Sequence, residues 1–311
     1  MRLGCDHVRV RVPATSANLG PGFDSLGLAL GLYDDLDVRA LGSADVVVDV
    51  VGEGAGEVPT DEKHLVVRAL RLALDHVGAS QTGLHLTCTN RIPHGRGLGS
   101  SAAAVVAGIV AARGLIADPD ALDDVVALRL ATQLEGHPDN AAPAILGGAT
   151  IAWTDADGPR AVRFEPHPDV TPLVLVPGNR LATARARGVL PPVVPHADAA
   201  FGAGRAALLV EAMTRRPELL FPATEDRLHQ SYRRAVLPDS LALVDALRAN
   251  GVAAVVSGAG PTVLVLARPG PAGSTDADAA IDAAFGGVMG GWRLVLPGVA
   301  DAGARVERVA G

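Results

Sequence analysis

Lysine is almost missing from this sequence: Lys63 is the only one in 311 residues. A Walker A loop needs Gly-Lys-Ser/Thr, and pyridoxal-phosphate enzymes need a Schiff-base lysine. The first is therefore excluded, and the second would rest on one residue in a charged, turn-like stretch. Cysteine is nearly as scarce. Cys5 and Cys88 have no metal-ligand spacing and make no disulfide framework, which points to a reducing compartment and to two small hydrophobic fillers. Aromatics are 3% of the chain, so the core must be built from Ala, Val and Leu. Long apolar runs are absent too. The start, MRLGCDHVRVRV, has no signal-peptide core, and the stretch Ala102 to Ala117 is broken at Arg113-Gly114 and is too short to span a bilayer. With a net charge of −7 there is no basic footprint for nucleic acid. The expectation is a cytoplasmic protein with no membrane and no nucleic-acid partner.

What is present is a well-packed globular composition, 49% hydrophobic and 20% charged. Val8 to Val12 alternates Val with Arg, as a strand with one wet face does. Val46 to Val51, Leu84 to Asn90, Ala149 to Trp153, Leu173 to Val176, Val252 to Ser257 and Thr262 to Ala267 read as further strands. Helices are expected over His64 to Val77, Ser100 to Ala117 and Ala121 to Glu135, the last stopped by Gly136, with more up to Asn250. Strands and helices mix without strict βα alternation, so the fold class is α+β. The turn cluster Asp155-Ala156-Asp157-Gly158-Pro159 suggests two domains, 1–155 and 156–311.

The strongest local signal is Arg91-Ile-Pro-His-Gly-Arg-Gly-Leu-Gly-Ser-Ser-Ala-Ala103, between an expected strand and an expected helix. Gly95, Gly97 and Gly99 let backbone N–H groups converge on a ligand, and Ser100 and Ser101 open the helix where its dipole attracts anions. Such a loop holds phosphates without lysine. The glycine spacing does not match the dinucleotide fingerprint G-x-G-x-x-G. Taken alone, the loop says only that an anion sits at a helix N-terminus.

Pro93 to Ala103 resembles the phosphate loop of the GHMP kinases. Two further segments resemble that superfamily's other shared motifs: Pro13-Ala-Thr-Ser-Ala-Asn-Leu-Gly-Pro-Gly-Phe-Asp24 and Val256-Ser-Gly-Ala-Gly-Pro-Thr262. Within it, Thr15 to Asp24, Glu135-Gly-His-Pro-Asp-Asn140, Thr183-x-x-x-Arg187 before Leu190-Pro191, and Tyr232-Arg233 before Leu237-Pro238 are similar to the homoserine kinases. The resemblance implies a ribosomal-protein-like N-terminal domain and a ferredoxin-like C-terminal one. It also implies transfer of the ATP γ-phosphate to the hydroxyl of L-homoserine, a step in threonine biosynthesis. ATP and Mg²⁺ are the implied cofactors, and a homodimer is compatible with the reading.

Carried over residue by residue, the resemblance assigns ATP to Asn90, Pro93, His94, Gly95, Arg96, Gly97, Leu98, Gly99, Ser100, Ser101, Ala102 and Ala103. Ser101 and Glu135 are the implied Mg²⁺ ligands; a metal ion would offset the cost of a carboxylate at a helix C-terminus. The substrate set is Asn18, Asp24, His137, Asp139, Asn140, Thr183, Arg187, Arg233 and Gly258. Within it Asp24 suits an α-ammonium, and Arg187 and Arg233 suit a carboxylate. Glu135, Ser101, Asn140, Asp139 and Arg187 form the catalytic set. Asn140 positions the hydroxyl, while the phosphate itself can take the proton, which leaves the part of Asp139 open. At His64-Leu65-Val66 this chain departs from the pattern, because many homoserine kinases have asparagine at the His64 position, beside the adenine. A mevalonate or shikimate kinase, or a nucleotide-binding regulator on the same fold, stays open at this point.

Overall fold

The Val–Arg alternation near the start forms β1 (His7–Ala17), with Val8, Val10 and Val12 buried and Arg9 and Arg11 exposed. The structure, a computed structural model, describes residues 1–309. β2 (Leu26–Leu41) runs back antiparallel to β1, with a register shift at Pro13/Ala14. No strand is expected from the sequence over these residues, where Gly27 and Gly31 interrupt the apolar pattern. Gly27 is there for space: a Cβ on it would meet the Asp139 carbonyl oxygen at 2.4 Å. After β3 (Val46–Gly52) come α1 (Leu65–His76), β4 (Gly83–Asn90) and α2 (Ser100–Leu115). α2 is buried on nearly every side, as an Ala/Val helix that is apolar all round must be.

The helix expected from Ala121 divides in two. Pro119–Leu122 is a 3-10 turn, and Asp123 then caps α3 (Asp124–Glu135) by accepting from the Val126 N–H at 2.8 Å. Gly136, at φ 85°, ends α3 as the sequence suggests. Then follow α4 (Ala141–Leu146), β5 (Ala149–Asp155) and β6 (Gly158–Phe164). The expected domain boundary at 155/156 is corrected here. Asp155 pairs with Gly158, so the turn cluster closes a hairpin between two strands of one sheet. The same Gly-Pro-Asp chemistry serves a hairpin as well as a linker.

The second half contributes β7 (Thr171–Pro177), α5 (Thr183–Gly188), α6 (His196–Thr214), α7 (Leu220–Ala223) and α8 (Pro238–Ala249). β8 (Ala254–Val256), β9 (Val263–Ala267), α9 (Asp278–Phe285), β10 (Trp292–Val295) and β11 (Arg305–Arg308) follow. One sheet runs β11-β1-β2-β4-β3, with β5 on β2 and β6 on β5; the other runs β10-β7-β9-β8 and is wholly antiparallel. From β7 to β10 a helical crossover (α5 to α8), a hairpin and a second crossover (α9) join strands in the order β10-β7-β9-β8, a ferredoxin-like β-α-β-β-α-β plan with extra helices in its first crossover. β11 returns to pair with β1 in the first sheet. Among the described residues, no helix is long and apolar enough to cross a membrane.

The two sheets are stitched together beside the glycine-rich loop. Gly258 donates its N–H to Ala17 O (3.0 Å), Thr262 donates to Arg96 O (3.2 Å), and the Ser257 hydroxyl donates to Gly97 O (2.6 Å).

Candidate active site

Gly95, Gly97 and Gly99 all take positive φ (63°, 77° and 67°), which folds residues 95–99 tightly into the start of α2. Gly97 has no room for a side chain, since a Cβ would lie 2.3 Å from Ser257 O. No side chain among the described residues caps α2, so its first N–H groups and its positive dipole end are open to an anion. Two cavities meet there. Ser100 and Ser101 line both.

The first cavity, about 270 Å³, is polar and lies between the loop, the α3–α4 connection and the second half of the chain. Asp139 is buried and accepts from His137 Nδ1 (2.6 Å) and from the Asn140 amide (3.3 Å). That bond to Asp139 holds the His137 imidazole above its ordinary pKa, against the opposing effect of burial. The Thr15 hydroxyl donates to Asn140 Oδ1 (2.8 Å), which fixes the amide's orientation. Arg187 makes a two-pronged ion pair with Asp24, at 3.1 and 2.5 Å. Arg233 differs. It is 1% exposed, and its acceptors are all neutral: Ala186 O, Gly258 O and His229 Nδ1. Burial, and then the like charge of Arg187, push its pKa down to about 10, so it stays cationic at neutral pH. A buried cation without a carboxylate, lining a cavity, is an anion site in waiting.

On the wall toward α3, Ser101 donates to Glu135 Oε1 at 2.6 Å. Burial raises the Glu135 pKa, only partly opposed by that hydrogen bond. Among the described residues no three His, Cys, Asp or Glu side chains cluster into a metal cage. Magnesium does not need one, because it is commonly held by one or two carboxylates and the substrate's phosphates. The hydroxyl–carboxylate pair beside the α2 N-terminus therefore fits that ion.

The second cavity, about 300 Å³, is more apolar, with Val58, Pro59, Leu65 and Val66 among its walls. His64 is buried in it, its Nδ1 has no partner among the described residues, and burial lowers its pKa. An orphaned ring nitrogen in an apolar slot suits a heterocyclic base, which can be hydrogen-bonded there. Cys88, a filler as expected, also lines this slot; burial pushes its thiol up to about 12.

Asp34, at the same slot, accepts the N–H groups of Arg91 (2.6 Å) and Ile92 (2.9 Å), anchoring the start of the phosphate loop. Burial outweighs those bonds and raises its pKa from 3.8 to about 6. The folded state thus binds this proton more tightly than the unfolded chain. The resulting stability is fully present below pH about 4 and is lost as pH rises through about 6. Asp34→Asn keeps an oxygen for both N–H groups and removes the titration. Relative to the parent, the variant should gain about 2–3 kcal/mol between pH 4 and pH 7 in urea unfolding. A difference that does not change with pH would show that Asp34 ionises freely.

Residues 64–148 match the family model "GHMP kinases N terminal domain", and residues 199–285 match "GHMP kinases C terminal". The chain is 59% identical over 276 residues to the homoserine kinase of Streptomyces coelicolor, covering 88% of this chain and 89% of the relative. It is 52% identical over 303 residues to the homoserine kinase of Leifsonia xyli, covering 97% and 93%. This chain belongs to the homoserine kinase family. A crystal structure of homoserine kinase from Cytophaga hutchinsonii superposes with a TM-score of 0.82 at 26% identity, over 97% of this chain and 98% of that one. A mevalonate kinase structure, at 13% identity and TM-score 0.63, shares the fold alone.

In this homoserine kinase family member, the first cavity gathers Asn18, Gly95, Gly97, Gly99, Ser100, Ser101, Ala102, Glu135, His137, Asp139, Asn140, Thr183, Arg187, Arg233 and Gly258. The second gathers His64, Asn90, His94 and Ala103, again with Ser100 and Ser101. Asp24 lines neither cavity; its link to the first is its ion pair with Arg187, which does line it. Three further expected residues line neither. Pro93 and Leu98 are buried, and the Arg96 guanidinium is spent on Pro177 O (3.0 Å) and Gly178 O (2.9 Å), tying the loop to the end of β7. The sequence reading missed Thr15, Asp34 and His229. Thr15 lay inside a quoted motif; the other two act through contacts that no spacing reveals.

Proposed function

We propose that this protein transfers the γ-phosphoryl group of ATP to the side-chain hydroxyl of L-homoserine, giving O-phospho-L-homoserine and ADP in the cytoplasm, for threonine biosynthesis. The observation that carries this reading is Arg233, a buried and carboxylate-free cation beside the Asp24–Arg187 pair, in a cavity that opens onto the α2 N-terminus. An amino acid offers that cavity both charges it needs. Arg233 and Arg187 take the α-carboxylate, and Asp24 takes the α-ammonium. Asn140, its amide oriented by Thr15 and Asp139, holds the acceptor hydroxyl in line with the phosphate at Gly97–Ser101. The adenine lies in the apolar slot, with the His64 ring nitrogen facing it. Held by Ser101 and Glu135, a magnesium ion would neutralise phosphate charge. The hydroxyl proton leaves to the phosphate, since a loose transition state asks for little early proton removal.

Specificity constants under identical Mg-ATP for L-homoserine, L-serine, mevalonate and shikimate test the reading. L-Serine keeps both charges but is one methylene short, which should cost at least about 10–200-fold. Mevalonate and shikimate have no ammonium for Asp24 and should stay near background. If either turns over faster than homoserine, the acceptor assignment fails.

A further inference from the structure

We infer that His229 is a positioning residue, which aims the Arg233 guanidinium at the substrate carboxylate while leaving its charge unspent. The inference rests on the proposed role of Arg233. His229 is 0% exposed, and its two ring nitrogens have different partners. Nε2 lies 2.7 Å from Gly20 O, which can only accept, so Nε2 carries the hydrogen. Nδ1 is then the acceptor, 3.0 Å from Arg233 Nη1. A protonated ring would set a donor and a like charge against the guanidinium, and burial holds the ring neutral.

The ring cannot swing away. Phe23 stacks on it at 5.0 Å between centroids, and Asp226 Oδ2 accepts the N–H groups of His229 (3.2 Å) and Gln230 (2.8 Å). The Gln230 side chain accepts the N–H of Val256 in β8 (2.6 Å), which fastens the segment to the second sheet. The choice of imidazole matters electrostatically. A carboxylate at this position would orient Arg233 equally well, but it would also neutralise it, leaving little attraction for an incoming anion. A neutral acceptor orients without cancelling. Through Gly20 the same ring also braces residues 18–24, where Asn18, Leu19 and Asp24 all hold positive φ (70°, 48° and 55°). Two walls of the acceptor cavity thus share one side chain.

Two substitutions divide these jobs. In His229→Asn the amide oxygen stands near the place of Nδ1, so the acceptor for Arg233 is kept and the Gly20 bond is lost. In His229→Gln the amide nitrogen stands near the place of Nε2, so the Gly20 bond is kept and the acceptor is lost. His229→Gln should raise the KM for homoserine by about 10-fold or more, with the KM for ATP within about 2-fold. His229→Asn should raise the homoserine KM by no more than about 3-fold. KM does not depend on how much of a sample is folded, so loss of stability alone would lower apparent turnover and leave KM unmoved. Arg233→Ala, assayed alongside, separates the two levels of the argument. If Arg233→Ala raises the homoserine KM while His229→Gln does not exceed His229→Asn, the positioning role is overturned and the carboxylate reading stands. If Arg233→Ala leaves that KM unchanged, the carboxylate reading falls and takes this inference with it.

Discussion

Glu135→Gln should lower turnover by about 10²–10³-fold while leaving the fold as stable as before, or slightly more so. The carboxylate is half-buried at the last residue of α3, where the helix dipole opposes a negative charge, and burial raises its pKa. Its hydrogen-bond partner is the Ser101 hydroxyl, which a glutamine oxygen can still accept. Nothing in the packing requires the charge. Removing it relieves an electrostatic cost and takes away a carboxylate that would hold the magnesium ion, and with it the neutralisation that ion would supply to the phosphates. Turnover against magnesium concentration, beside a thermal melt, reads both effects. Near-native turnover at ordinary magnesium would remove Glu135 from the site, and a fall of many degrees would make it a residue of the fold.

Arg233→Ala should reduce kcat/KM for homoserine by about 30- to 4,000-fold, the equivalent of about 2–5 kcal/mol, with little change in the KM for ATP. The size follows from its burial and from the absence of a carboxylate partner among the described residues, which the proposed substrate carboxylate would supply. Arg187→Ala should also impair homoserine use, but for a mixed reason, because it strips Asp24 of its partner as well. Arg185 is exposed, and Arg234 is spent on Asp245 at 2.9 Å, so alanine at either should change little. Equal losses across all four would mean that a diffuse positive field, not two placed guanidiniums, attracts the substrate.

The parts of this site legible in the sequence are those built from contiguous residues. Pro93 to Ala103 announces an anion loop because its glycines and serines act through their own backbone, and Glu135-Gly136 announces a helix end for the same local reason. Pairing across the chain is another matter. Asp24 meets Arg187 across 163 residues, and His229 meets Gly20 across 209, so neither contact leaves a spacing to read. The unread strand β2 fails differently. Gly27 weakens the strand pattern to let the Asp139 backbone approach, so a feature that serves the site disguises the fold. The hairpin at Asp155–Gly158 shows the limit of turn residues, which mark a reversal but not whether the next strand rejoins its own sheet.

The return of β11 has a consequence for how the molecule is made. Arg308, on that strand, donates to Gly114 O (2.8 Å) and Ile116 O (2.6 Å), the carbonyls at the C-terminal end of α2. During vectorial synthesis the first sheet keeps an open edge at β1, and the helix keeps unanswered carbonyls, until about 190 further residues have left the ribosome. The nucleotide-binding half is therefore not a unit that matures ahead of the rest. The C-terminal end of α2 is secured in part by a strand made about 190 residues later.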